Sequence, residues 1–294
     1  MAAMRQMTDA TLIVVNYNKA PYTRACLESV LAAEPVPTQI VAIDNGSTDG
    51  TREYLEECFP ELAEKQGVSF ELITNPENIG ACTARNQGLE RAEGRYIAFL
   101  DNDVLVRTQR WLAGLIETLE MSEDVGIVGP KLVYPFPPYR IQEAGVAFSP
   151  NGRVRYLGRG EPRDSADFNV RREVQALISA CWVMKRMVPD QIGGLDEVFN
   201  PAQFEDFDFC YRARSRGWKV LYEPAVEMYH FESVTTDGSP DVNYRYITVK
   251  NGMEFKRRWQ AMLREEKGAA ESECQWVKLE TRPIEQTGIP PMID

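Results

Sequence analysis

Asp101 and Asp103 flank Asn102 directly after an apolar run, Tyr96-Ile97-Ala98-Phe99-Leu100. The run reads as a buried strand, because apolar β-formers fill it and Gly94 marks its start. Side chains alternate along extended chain, so Asp101 and Asp103 point to one side and Asn102 to the other. Two carboxylates at the carboxyl end of a sheet strand suit a hard divalent cation, which takes oxygen ligands and shares them with substrate phosphates. Asp and Asn also cap turns at strand ends, so the triplet alone leaves both readings open.

The elements that must position this triplet alternate. Strands are predicted over residues 12–15, 39–43, 70–73, 96–100 and 125–128, with helices over 22–32, 51–59, 81–92 and 110–120 between them. Repeated βαβ units predict an α/β fold with a mostly parallel, Rossmann-like sheet flanked by helices. Ligands of such sheets sit at the carboxyl ends of the strands. Those ends are polar here: Asn16-Tyr17-Asn18, Asp44-Asn45-Gly46-Ser47-Thr48-Asp49-Gly50, Asn75 and the Asp101 triplet.

The texture changes near Pro130. A Pro- and aromatic-rich loop covers 134–139, and β-like runs at 141–148 and 153–158 flank Asn151-Gly152, a strong hairpin signal. Residues 161–169 read as a mobile polar loop. Strand texture returns at 174–178 and 182–185, and a helix over 205–216 stops at Gly217. Short strands are predicted at 219–222 and 226–230, then a helix from Tyr244 carrying Lys256-Arg257-Arg258. Residues 268–294 are polar with several prolines and are expected to pack loosely. No repeat or linker divides the chain, so residues 1–267 read as one domain. A half over 10–130 contains the polar strand ends, and a smaller, antiparallel half over 131–267 follows.

Composition bounds the function. The chain has 294 residues, 44% of them hydrophobic, and a net charge of −11. That charge argues against a general nucleic-acid binder. No apolar run is long enough to span a bilayer, and residues 1–10 lack the apolar core of a signal peptide. The six cysteines form no CxxC pair, which favours buried thiols in a reducing cytoplasm over disulfides or zinc.

Further motifs stand in one order: Val14-Val15-Asn16-Tyr17-Asn18, Asp44 to Gly50, Asn78-Ile79-Gly80 with Ala84-Arg85-Asn86-Gln87-Gly88, the Asp101 triplet, Ala180-Cys181-Trp182, Gly193-Gly194-Leu195-Asp196-Glu197, and Phe204-Glu205-Asp206-Phe207-Asp208. This series, over roughly residues 10–260, resembles the family 2 glycosyltransferases with the GT-A fold, nearest in look to bacterial rhamnosyltransferases. The resemblance implies a nucleotide-diphosphate sugar donor, UDP- or dTDP-linked by preference, a Mn2+ or Mg2+ ion, and transfer with inversion. The acceptor hydroxyl would belong to a saccharide, a lipid-linked sugar, a small molecule or a protein. A sugar-1-phosphate nucleotidyltransferase and a non-catalytic sugar-nucleotide scaffold are the alternatives.

Roles carry over by position. Val15, Asn16 and Tyr17 match residues bordering the nucleoside, and Asp44 or Asn45 matches the group that accepts from the base. Gly80 and Arg85 match the ribose and diphosphate segment; a surface ion pair is the bland reading of Arg85. Asp101, Asn102 and Asp103 match the metal and donor site. His230, the only histidine, matches a ligand of the metal or the diphosphate, or is simply packed. Glu205 and Asp206 match the catalytic acidic pair, with Asp206 the base and Glu205 orienting the acceptor or Asp206; Asp208 is read as a helix cap. Trp182 is either a platform under a sugar or a core residue. Lys256-Arg257-Arg258 with Trp259 is either a peripheral contact with an anionic membrane or a solvated helix face.

Overall fold

The computed structural model describes residues 6–232, 234, 243–266 and 268–294. Residues 1–5, part of the stretch read above for a signal peptide, lie outside the described residues. The strands are β1 (Met7–Asn16), β2 (Val36–Asn45), β3 (Ser69–Asn75), β4 (Tyr96–Asp101), β5 (Val104–Val106), β6 (Val125–Val133), β7 (Ile141–Glu143), β8 (Val146–Phe148), β9 (Val154–Tyr156), β10 (Arg172–Glu173), β11 (Cys181–Lys185) and β12 (Lys219–His230). The helices are α1 (Ala20–Ala32), α2 (Thr51–Glu53), α3 (Phe59–Lys65), α4 (Ala81–Arg91), α5 (Trp111–Leu119), α6 (Met187–Ile192), α7 (Glu205–Ser215), α8 (Tyr244–Glu265) and α9 (Ile284–Thr287).

The large sheet runs β10-β12-β6-β11-β4-β1-β2-β3, with β5 on β12 and β7 on β6. β3, β2, β1 and β4 pair parallel, as do β6 and β12. β11 is inserted antiparallel between β4 and β6. The long strands thus keep one direction and bring their carboxyl ends to one edge. Alternation buries both faces: Leu12, Val14, Ala98 and Leu100 pack in the core under α1, α3 and α5, while Ile13, Ile97 and Phe99 pack in the core under α4, α7 and α8.

Several expectations are corrected. The helix expected over 51–59 continues to Lys65, through a π turn at Tyr54–Cys58 just before Pro60, which has no N–H to donate. The run 141–148 splits into β7 and β8 at Gly145, whose φ of 99° breaks the extended chain; β8 and β9 form the expected hairpin as a separate sheet. Residues 174–178 are not a strand. Val174 N–H donates to Val220 O while Ala176 bridges Val146, so the segment crosses between two sheets. Residues 219–230 are one strand, with a register shift between Glu223 and Glu227 around Pro224. The 161–169 loop is pinned, since Lys131 Nζ donates to Arg163 O at 3.1 Å and Tyr222 donates to Phe168 O at 2.8 Å. Within the mostly exposed C-terminal segment two anchors stand out: Gln109 N–H donates to Ile293 O at 2.7 Å, and Ile284 N–H donates to the Tyr22 hydroxyl at 3.0 Å.

Candidate active site

β4 ends at Asp101, and a tight turn through Asn102 and Asp103 leads into β5. Asn102 faces away, as alternation requires; its amide donates to Asn18 O at 3.3 Å and Thr23 Oγ1 at 3.0 Å. β5 pairs antiparallel with β12 in a register that sets His230 against Val104. The result is His230 Nε2 at 3.4 Å from Asp103 Oδ1. One ligand atom each from Asp101, Asp103 and His230 lie within 4.8 Å of one another. Two carboxylates and one imidazole so grouped fit a hard divalent cation and would leave its other positions to phosphate oxygens. Burial pulls the His230 pKa down, but Asp103, Asp101 and Glu232 outweigh it and hold it above the usual value. Asp101 is raised by loss of hydration, which Arg85 only partly offsets, with Asp103 adding to the rise.

The acidic pair Glu205-Asp206 opens α7. Gln203 and Phe204 precede it with φ of 81° and 72°, conformations non-glycine residues adopt at a cost. Asp206 is held by Phe207 N–H at 2.8 Å and Ser179 N–H at 3.3 Å. Arg85 of α4 is buried between the two acidic groups. Nη2 meets Asp101 Oδ1 at 2.5 Å, Nη1 meets Glu205 Oε1 at 3.2 Å, and the guanidinium lies over the Phe99 ring. It is not the surface ion pair the sequence allowed. Glu205 Oε2 is buried without a hydrogen-bond partner. Burial raises the Glu205 pKa against the pull of Arg85; burial and then the charge of Glu205 raise Asp206 well above the carboxylate range.

The nucleoside-side candidates line the other strand ends. Val15 and Tyr17 are half-buried. Asn16 is fully buried and donates to Val14 O and Ile43 O, so its side chain builds the floor and does not face a ligand. Asp44 accepts from Ser47 N–H at 3.2 Å and Arg52 Nε at 2.7 Å. Asn45 is bonded to Asn75, Asn78 and Ile79 N–H. Gly80 caps α4 at φ 89°, where an added Cβ collides with the Asn200 amide.

Packing decides against a sugar platform at Trp182 and a helix cap at Asp208. Trp182 is fully buried, stacked between Phe99 at 5.7 Å and Phe209 at 5.8 Å, so no ring face is left for a sugar. Asp208 does not cap α7; it accepts from Arg212, Arg258 and Trp259 and ties α8 to α7. The basic cluster does not share one face, because Arg258 turns inward to Asp196 and Asp208 and Arg257 pairs with Glu254. Sequence reasoning missed Gln142 and Glu143, both buried, on β7. Their signal was a pair of adjacent polar residues inside an apolar β run. Burial pushes the Glu143 pKa up to about 8, and Glu143 Oε1 has no hydrogen-bond partner. Among the described residues, no helix is long and apolar enough to cross a membrane.

The chain is similar to known proteins in sequence and in fold. A family model described as glycosyl transferase family 2 matches residues 11–193. An uncharacterised protein of Sinorhizobium fredii is 27% identical over 85% of this chain, and the match spans only 27% of that protein. The N-acetylglucosaminyl-diphospho-decaprenol L-rhamnosyltransferase of Mycobacterium tuberculosis is 27% identical over 80% of both chains. Among solved structures, GalNAc-T7 with UDP, GalNAc and Mn2+ aligns with a TM-score of 0.68 at 19% identity, over 86% of this chain and 49% of that one. The mannosyltransferase PcManGT of Pyrobaculum calidifontis, in complex with GDP-Man and Mn2+, aligns at 0.57 and 19% identity, over 89% and 66%. The architecture is the GT-A fold, and with the family model covering well over half of its length, the chain belongs to glycosyl transferase family 2.

Proposed function

We propose that this chain is a metal-dependent inverting glycosyltransferase. It moves a sugar from a nucleotide-diphosphate sugar, UDP- or dTDP-linked by preference, to an acceptor hydroxyl in polysaccharide or glycoconjugate synthesis. The observation that carries this is the meeting of the Asp101, Asp103 and His230 donors with the buried Glu205-Asp206 pair across Arg85. Mn2+ or Mg2+ held by those donors would offset the charge of the diphosphate as the glycosidic bond breaks. Asp206 takes the acceptor proton; its raised pKa makes it a stronger base than a solvated carboxylate. Glu205, held by Arg85, orients the acceptor. Single displacement needs no covalent intermediate, so no further nucleophile is required.

In this reading residues 10–130 bind the donor, with Val15 and Tyr17 beside the nucleoside, Asp44 at the base, and Gly80 and Arg85 near the ribose and diphosphate. Residues 131–267 bind the acceptor. The mycobacterial relative's name supports a lipid-linked saccharide as the first acceptor class to try. The six cysteines are unpaired, which fits a cytoplasmic setting.

The test is thermal unfolding with UDP, dTDP and GDP, each with and without Mn2+, followed by donor turnover with and without acceptor. Stabilisation by one nucleotide only with metal, then turnover, is expected. Metal-dependent binding without turnover of any donor would leave the scaffold reading. No binding by melting or calorimetry would overturn both.

A further inference from the structure

We propose that Gln142 is a positioning residue that locks His230 in the Nδ1–H tautomer and so aims the Nε2 lone pair at the space beside Asp103. The inference rests on the metal reading of Asp101, Asp103 and His230 for its purpose, but its geometry stands on hydrogen-bond direction alone.

The direction is set by groups outside the three proposed metal donors. Arg159 binds Glu232 through both terminal nitrogens, at 2.8 and 3.0 Å. A carboxylate so paired only accepts, so the Tyr134 hydroxyl donates its proton to Glu232 Oε2 at 2.6 Å. The Tyr134 oxygen is left as an acceptor beside the Gln142 amide. Gln142 Nε2 makes no close hydrogen bond of its own. Turning the amide over would set its oxygen against the Tyr134 oxygen, acceptor against acceptor. The amide therefore keeps its nitrogen toward Tyr134 and its oxygen 2.6 Å from His230 Nδ1. An amide oxygen cannot donate, so Nδ1 carries the proton. Tyr134, Gln142 and His230 are all buried, so water does not compete for these positions. The partner of a ligating imidazole's other nitrogen decides which atom meets the metal.

The single histidine makes the proposal directly readable. Protein labelled with 15N-histidine, metal-free and at a pH where the ring is neutral, yields one pair of ring nitrogens by NMR. Wild type is expected to show Nδ1 protonated and Nε2 bare. Gln142→Glu, which keeps an acceptor oxygen, should keep that pattern. Gln142→Leu should lose it, because Asp103 then competes to hold a proton on Nε2. Wild type with Nε2 protonated, or Gln142→Leu unchanged from wild type, would overturn the proposal. Gln142→Glu carries the comparison if Gln142→Leu does not fold: loss of the Nδ1–H signal there also overturns it.

Mn2+ binding with UDP present, read by the electron paramagnetic resonance of free Mn2+, separates this proposal from the metal reading. Second-sphere loss in Gln142→Leu is expected to weaken Mn2+ about 10–100-fold, with Asp103→Ala as control. If Asp103→Ala binds Mn2+ as wild type does, the metal reading fails while the tautomer result stands on its own. If Asp103→Ala loses Mn2+ and Gln142→Leu does not, the positioning role is refuted and the metal reading survives.

Discussion

Arg85 and Glu205 stand 120 positions apart in the chain, yet Arg85 Nη1 lies 3.2 Å from Glu205 Oε1, both side chains buried. The same guanidinium holds Asp101, so one buried cation ties the metal-side carboxylate to the acidic pair of α7. Removing one partner of a buried pair leaves the other charge uncompensated. Arg85→Ala is therefore expected to lose about 3–5 kcal/mol of stability in urea unfolding. Arg85→Lys should fall between, because an ammonium does not reproduce the two-armed geometry. A loss under about 1 kcal/mol for Arg85→Ala would mark it as a surface-type pair instead.

Asp103 faces His230 and lies among the proposed metal donors. Metal-dependent stabilisation by nucleotide should reach about 2.7 kcal/mol at a ligand concentration of 100 times Kd and vanish in Asp103→Ala. Differential scanning fluorimetry with the nucleotide alone, the metal alone and both together reads this directly. Retained stabilisation in the variant would remove Asp103 from the metal site.

Asp206 is held by backbone N–H groups and stripped of water. Asp206→Asn keeps the shape and removes the base, so turnover should fall about 10²–10⁴-fold while nucleotide affinity stays within a few-fold of wild type. Because its pKa is raised by burial and by Glu205, the rate of wild type should climb with pH on a limb centred above the ordinary carboxylate value of about 3.9. A profile flat from pH 4 upward would contradict the assignment.

Burial pushes the Glu143 pKa from the ordinary value of 4.5 up to about 8. A raised folded pKa means the native state binds the proton more tightly. The stabilisation is full below the unfolded value and is lost as pH rises toward about 8. Glu143→Gln removes that dependence. Its stability relative to wild type should grow between these two values and then level off, by at most on the order of 5 kcal/mol. Chemical unfolding across the range checks it; parallel curves would show that Glu143 is ionised in the fold.

Trp182 sits between Phe99 and Phe209 with no exposed surface. Trp182→Ala should cost about 3–5 kcal/mol through the cavity it leaves. Trp182→Phe should preserve the acceptor KM, which a sugar platform would not.

The strand ends, the helix between each pair of strands and the opposed facing of Asn102 and Asp103 were legible because they depend on residues near one another in sequence. A period of two along β4 is enough to separate Asp101 from Asn102, and Gly217 is enough to stop α7. Motif order also located the Glu205-Asp206 pair and His230. What the sequence did not carry was which side chains meet. Trp182 reads equally as platform or core until β11 is seen inserted between β4 and β6, and Gln142 reads as an ordinary strand residue until β7 is laid on the edge of β6. Arg85 joins Asp101 to Glu205 only after α4 and α7 pack on the same face of the sheet. Local propensity and alternation determined the elements and their polar ends; long-range strand order and register, which no local pattern encodes, decided the contacts that turn those ends into a site.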